Sequence, residues 1–234
     1  MGNIQININN NKCKLNGDMK SQVKLYNDMA YKHPSAWHLR NYMHKGWDGK
    51  VYPITESGYF KTGLLPNVVE KLESYGCEVI FVDDRNLNIK PKLPKKIGKL
   101  EPRPYQADAI KSIITNQVNG LPFPVGVINA ATNAGKTLMM AGIYMAYERK
   151  MKTIVLVNRS DLYNQFLKEM PELVGESDFG YLQGKTVLWG NFMLVMVQSL
   201  NSQLAKYKHK LSEYEICLID EADLGDNKTY KRVI

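Results

Sequence analysis

Ile4, Ile6 and Ile8 alternate with Gln and Asn at the start of the chain, the pattern of a strand with one buried and one polar side. Val23, Leu25, Tyr26 and Met29 then recur at helical spacing within residues 21–31. Val51-Tyr52-Pro53-Ile54 and Tyr59-Phe60-Lys61 flank Thr55-Glu56-Ser57-Gly58, which predicts a hairpin. Val68, Val69 and Leu72 mark one face of a helix over 65–75, stopped by Gly76. Val79-Ile80-Phe81-Val82 completes the set as a short strand. Residues 1–85 therefore read as a small α+β unit.

The pattern lapses over residues 86–100. Lys90-Pro91-Lys92-Leu93-Pro94-Lys95-Lys96 has prolines that break regular structure and no amphipathic period, and predicts an extended basic linker. From 101 to 234 apolar strands alternate with helical patterns. Helices are expected over 104–117, 136–149 and 159–170, and strands over 125–129, 153–157, 193–197 and 216–220. That alternation predicts an α/β fold with a mainly parallel sheet between helices. No internal repeat is visible.

Charge sharpens this division. The net charge is +8, and residues 1–100 hold 16 Lys+Arg against 9 Asp+Glu, whereas 101–234 hold 15 against 14. A basic excess in the front part predicts a polyanionic partner there; solubility charge is the plain alternative. Cys13, Cys77 and Cys217 share no metal-like spacing, which fits a reducing compartment and an expected cytoplasmic location. No apolar run approaches membrane-spanning length, so no membrane partner is expected.

Two segments carry chemistry. Ala130-Ala131-Thr132-Asn133-Ala134-Gly135-Lys136-Thr137 follows the apolar Val125-Gly126-Val127-Ile128. Such a loop between a strand and a helix would set the backbone N–H groups of Thr132, Asn133, Ala134 and Gly135 around a polyphosphate. Lys136 would reach the β/γ-phosphates and Thr137 the Mg²⁺ ion. Asn133 stands where glycine is common, and asparagine tolerates a left-handed backbone. Asp220-Glu221-Ala222-Asp223 follows Ile216-Cys217-Leu218-Ile219, placing Asp220 where a metal would be held and Glu221 where a water would be oriented. Together they predict a nucleoside-triphosphatase using ATP and Mg²⁺, with Lys136, Asp220 and Glu221 at the reaction.

The order Arg103-Pro104-Tyr105-Gln106, the phosphate loop, Val157-Asn158-Arg159-Ser160-Asp161-Leu162 with Gln165, Val197-Gln198-Ser199-Leu200, then the acidic motif resembles the first motor domain of superfamily 2 helicases. The resemblance covers residues 101–234 and implies a RecA-like domain. It implies that Gln106 reads the adenine edge with help from Arg103. It also implies that Arg159, Ser160, Gln198 and Ser199 lie on loops contacting a nucleic-acid backbone. Asp223 would link the ATP site to other motifs or serve as a structural carboxylate. Asn158-Arg159 stands where many relatives have Pro-Thr, and an apolar residue, Met196 or Val197, precedes Gln198 where they have Thr.

Despite the literal DEAD string, the adenine-reading segment lacks the longer arrangement of the DEAD-box RNA helicases. Gly46-Trp47-Asp48-Gly49-Lys50, the hairpin, and Gly63-Leu64-Leu65-Pro66 leading to Tyr75-Gly76 instead resemble the N-terminal domain of bacteriophage UvsW-type helicases. That resemblance implies a DNA partner and action on branched recombination or replication intermediates. Lys45, Lys50 and Lys61, with linker lysines Lys92, Lys95 and Lys96, are candidates for phosphate contacts. Trp47 suits a base-stacking role or, as the commoner use of tryptophan, a core anchor. The resemblance also implies a second motor domain downstream, without which residues 1–234 should be nearly inactive. Two other readings stay open: a nucleic-acid-binding module with a nucleotide switch, and a translocating subunit of a restriction system.

Overall fold

The computed structural model describes residues 2–39, 46–85, 87 and 89–221. The chain divides into two units, Met1–Asn88 and Ile89–Ile234.

In the first unit, β1 (Asn3–Ile8), β2 (Lys12–Gly17), β5 (Tyr59–Lys61) and β6 (Glu78–Asp83) form a sheet in the order β5-β2-β1-β6. Its inward residues Ile4, Ile6, Ile8 and Leu15 are buried together with Leu25 of helix α1 (Met19–Asp28) and Leu65, Val68 and Leu72 of α2 (Leu65–Ser74). Burying such side chains contributes about 1.5–3 kcal/mol each before the entropy of ordering them. The expected hairpin forms differently. Ile54 bridges Phe60, but β4 (Lys50–Val51) pairs with β3 (Tyr31–Lys32), and β5 pairs with β2. Strand β2 escaped the apolar pattern because only Cys13 and Leu15 of its six residues turn inward.

The second unit contains α3 (Pro104–Ile114), a two-residue-arm hairpin of β7 (Gln117–Val118) and β8 (Leu121–Pro122), then α4 (Lys136–Ala146), β9 (Thr153–Val157) and α5 (Ser160–Val174). There follow β10 (Phe179–Gln183), β11 (Thr186–Leu188), β12 (Phe192–Met196), α6 (Val197–Leu211) and β13 (Ile216–Ile219). The main sheet has the order β11-β10-β12-β9-β13, and only β11 runs antiparallel to its neighbour. Every residue of β9 and β12 is buried, as expected of central parallel strands covered on both faces. Tyr144 of α4 packs edge-on to Phe192, with ring centroids 5.2 Å apart, inside the larger apolar cluster.

Two expectations are corrected here. Residues 125–129 are not a strand: Val125 and Val127 are 45% and 82% exposed, and no ladder partner is paired with them. A strand exists only with a neighbour to hydrogen-bond, and among the described strands β13 ends the sheet with an open edge. Second, residues 89–100 are not a free linker. Lys92 N donates to Ala146 O at 2.8 Å, and Ile97 is fully buried in the core, where its Cδ1 and that of Ile110 close over Gly142. Residues 89–100 hold five lysines and no acidic residue, so most of the basic excess of the front part belongs to the second unit.

Candidate functional site

Helix α3 starts with Pro104, whose missing N–H costs nothing in a first turn. Gln106 then folds back. Its Oε1 accepts from Arg103 N at 2.9 Å and its Nε2 donates to Ala134 O at 2.9 Å. Tyr105 OH donates to the same carbonyl at 3.2 Å. The segment thereby braces the loop 130–135 from beneath, with Gln106 buried and Tyr105 45% exposed. Tyr105 was not singled out from the sequence; its place between Arg103 and Gln106 was the available signal. Gln106→Ala is expected to destabilise the chain by about 1–3 kcal/mol, because it removes two hydrogen bonds, to Arg103 N and Ala134 O, each worth about 0.5–1.5 kcal/mol. Urea unfolding measures this, and a change within about 0.5 kcal/mol, the level of an ordinary surface substitution, would discount the brace.

Above the brace the backbone turns through two left-handed residues, Asn133 (φ 64°) and Gly135 (φ 79°). Asparagine fills its position as expected. Gly135 is required twice over, since a Cβ there would also run into the Gln106 amide. Gly135 caps α4, so Lys136 and Thr137 occupy the first turn, where unpaired N–H groups and the helix dipole favour an anion. Thr137 is buried.

The carboxylates arrive from β13. Asp220 N donates to Leu156 O at 3.0 Å, extending the pairing with β9 by one residue and fixing Asp220 at the strand end. Asp220 is buried, with only 5% of the residue exposed. Burial pushes its carboxyl upward from the ordinary range, and the Lys136 ammonium pulls the other way. The loop lysine and the strand-end carboxylate thus share one electrostatic environment. Glu221 sits at φ 55° with its Oε1 3.8 Å from Arg159 Nη1. Arg159 also pairs with Asp161 at 2.6 Å, which holds the Asp161 carboxyl below its usual range.

The residues fit a Mg²⁺–nucleotide. A buried carboxylate at a strand end is stabilised by a bound cation, and the unpaired N–H groups of the first turn of α4 suit phosphate oxygens. Among the described residues no group of three His, Cys, Asp or Glu forms a separate protein-only metal site.

The expected nucleic-acid segments also meet: Gln198 Nε2 donates to Asn158 O at 2.8 Å. Arg159, Ser160 and Gln198 are exposed. Ser199 is buried and its hydroxyl accepts from Gly184 N at 2.7 Å, so that hydroxyl is engaged inside the unit. Lys50 and Lys61 are exposed on the first unit. Trp47 is half-buried and donates from Nε1 to Lys50 O at 2.8 Å, the behaviour of an anchor. Lys45 and Asp223 lie outside the described residues.

The mainly parallel sheet, the loop running into α4 and the acidic strand end together make a RecA-like α/β domain. Residues 99–234, more than half of the chain, match the family described as "Type III restriction enzyme, res subunit", and the protein belongs to that family. Among solved structures the chain is similar to the UvsW helicase from bacteriophage T4, with a TM-score of 0.76 and 16% identity over 99% of this chain and 86% of that one. A second T4 UvsW structure aligns with a TM-score of 0.76 and 15% identity, covering 99% of this chain and 49% of that one. At this identity the likeness is one of fold, and it extends through both units. No curated protein matches the chain significantly. No helix among the described residues is long and apolar enough to cross a membrane.

Proposed function

We propose that the chain is the front part of an ATP-dependent DNA helicase or translocase acting on branched recombination or replication intermediates. The observation that carries this reading is the start of α4, with Lys136 and Thr137 in a first turn capped by the left-handed Gly135, together with the buried carboxylate of Asp220 at the end of β13. In it, the first turn of α4 binds the phosphates and Lys136 neutralises the β/γ oxygens. Thr137 and Asp220 hold Mg²⁺, which when bound neutralises charge on the transferring phosphoryl group. Glu221 orients the attacking water. Gln106 Oε1 keeps a second lone pair for the adenine amino group, and the exposed ring of Tyr105 offers it a stacking face. Arg159 stands between the expected DNA loop and Glu221, and so ties strand contact to the water-orienting carboxylate. The basic residues 89–100 and the lysines of the first unit serve the phosphate backbone.

Lys136→Ala is expected to weaken binding of a fluorescent ATP analogue with Mg²⁺ by at least about tenfold, the low end for a charge-assisted hydrogen bond. Unchanged affinity would remove the loop from the site. Forked and linear DNA compared at equal salt test the branched-substrate assignment, which fails if the fork has no advantage.

The family description favours a second reading, the translocating subunit of a restriction system. Stable co-purification with a nuclease, and translocation on linear duplex without a fork, would select it.

A further inference from the structure

The first unit presents an open sheet face for which the reading above names no particular form of DNA. The buried alternates of β1 and β2 turn toward α1 and α2, and the pairings Asn7↔Lys14, Lys14↔Tyr59 and Lys12↔Lys61 gather their neighbours on the other side. Lys12, Tyr59 and Lys61 are exposed and Lys14 is half-buried. The ammonium groups of Lys12 and Lys14 lie 5.2 and 4.5 Å from the Tyr59 ring centroid. Beside them Asn7 Oδ1 accepts from Gln5 at 2.8 Å and from Asn16 at 3.0 Å, forming an amide patch rather than a charged one. Of the two acidic residues on the sheet strands, Asp83 is paired to Arg85 on the inward register, which leaves Glu78, at the far strand β6, as the acid on this face.

We propose that this face binds single-stranded DNA, with a base stacked on Tyr59 and phosphates on Lys12, Lys14 and Lys61. The proposal extends the DNA reading above but stands on the first unit alone. Two lysine ammonium groups at one exposed ring, with Lys61 two residues further along the same strand, match a polyanion that also carries aromatic faces. Side chains two residues apart on β2 stand about 7 Å from one another, so the lysines form a row rather than a single anion pocket. A duplex keeps its base faces stacked within the helix, whereas a single strand can turn one onto the ring. The amide side chains of Gln5 and Asn7 add hydrogen-bonding groups to the polymer without adding a repelling charge.

The test is fluorescence anisotropy of a labelled oligothymidylate with the whole 234-residue chain, without nucleotide. Tyr59→Ala should weaken binding about tenfold, while Tyr59→Phe, which keeps the ring, should stay within about twofold. Lys12→Ala and Lys14→Ala should each reduce the slope of log affinity against log salt by about 0.7, the value for a single strand. Lys61→Glu should cost more than Lys61→Ala, a contrast independent of any folding defect shared by both. Thermal unfolding of each variant checks that the unit remains folded. Equal affinity of wild type, Tyr59→Ala and the lysine variants would overturn the proposal. So would tighter binding of a duplex of the same length, or of oligouridylate. Because nucleotide is absent, these results are separable from the Lys136→Ala result: loss of ATP binding there leaves this face untouched.

Discussion

Glu221→Gln is expected to leave ATP bound and nearly stop its cleavage. Glutamine keeps the size and one carbonyl oxygen of the side chain but loses the charge that orients and polarises a water. Asp220, Thr137 and Lys136 remain, and they are the groups assigned to metal and phosphate. A positioned general base is worth about 10²–10⁴ in rate, so turnover in an active, DNA-stimulated form of the enzyme should fall by that order with nucleotide affinity unchanged. The structure adds a consequence for Arg159. Its guanidinium stands 3.8 Å from Glu221 and is held by Asp161. In the Gln variant Arg159 loses that charged neighbour but not Asp161, so DNA affinity should change little. Single-turnover hydrolysis alongside equilibrium binding of the ATP analogue separates the two quantities. Near-normal hydrolysis by Glu221→Gln would take Glu221 out of the proposed role.

How far the site was legible in the sequence depends on the range over which each contact acts. The turn at Gly135, the left-handed Asn133 and the start of α4 are local, and residue chemistry alone points to them. Strands β9 and β12 were legible because burial on both faces leaves an unbroken apolar run. Strand β10 and the short β11 were not, since Phe179-Gly180-Tyr181 and Thr186-Val187-Leu188 mix glycine, polar and apolar residues at the end of the sheet. The same range explains the error at 125–129. Val125-Gly126-Val127-Ile128 has strand composition, but composition cannot supply the hydrogen-bonding neighbour that a strand requires. Tertiary contacts were invisible for the converse reason. Gln106 meeting Ala134, Ile97 closing over Gly142, and Arg159 reaching Glu221 all join residues far apart in sequence. No periodicity encodes such meetings; they follow only once the sheet order is known. The lysines of 89–100 show the cost of reading charge without contacts. Their prolines suggested a linker, while the fully buried Ile97 ties the segment to the second unit.

Purified residues 1–234 are expected to bind Mg·ATP weakly and to hydrolyse it slowly, with little acceleration by DNA. The described residues supply groups on the loop side of the phosphates: the α4 first turn, Lys136, and the carboxylates of β13. The loose transition state of phosphoryl transfer also spreads charge over oxygens that face away from the loop, and a cation placed there contributes about 10³–10⁵ in rate in related chemistry. Of the three described arginines in the second unit, Arg149 is 3.6 Å from Asp178, Arg159 is held by Asp161 and Glu221, and Arg103 caps α3. Arg149 and Arg159 are engaged with carboxylates, and Arg103 belongs to the segment assigned to the adenine. The superfamily 2 resemblance implies that this cation comes from a second motor domain, which would also close the cleft and exclude water from the nucleotide. A form carrying such a domain should therefore exceed residues 1–234 by a factor of that size, and the difference should appear in the hydrolysis step more than in ATP binding. Steady-state turnover with and without forked DNA, at saturating nucleotide, measures it. Robust DNA-stimulated turnover by residues 1–234 would mean that the groups around Lys136 and Glu221 complete the site without help, and the dependence on a second domain would be wrong.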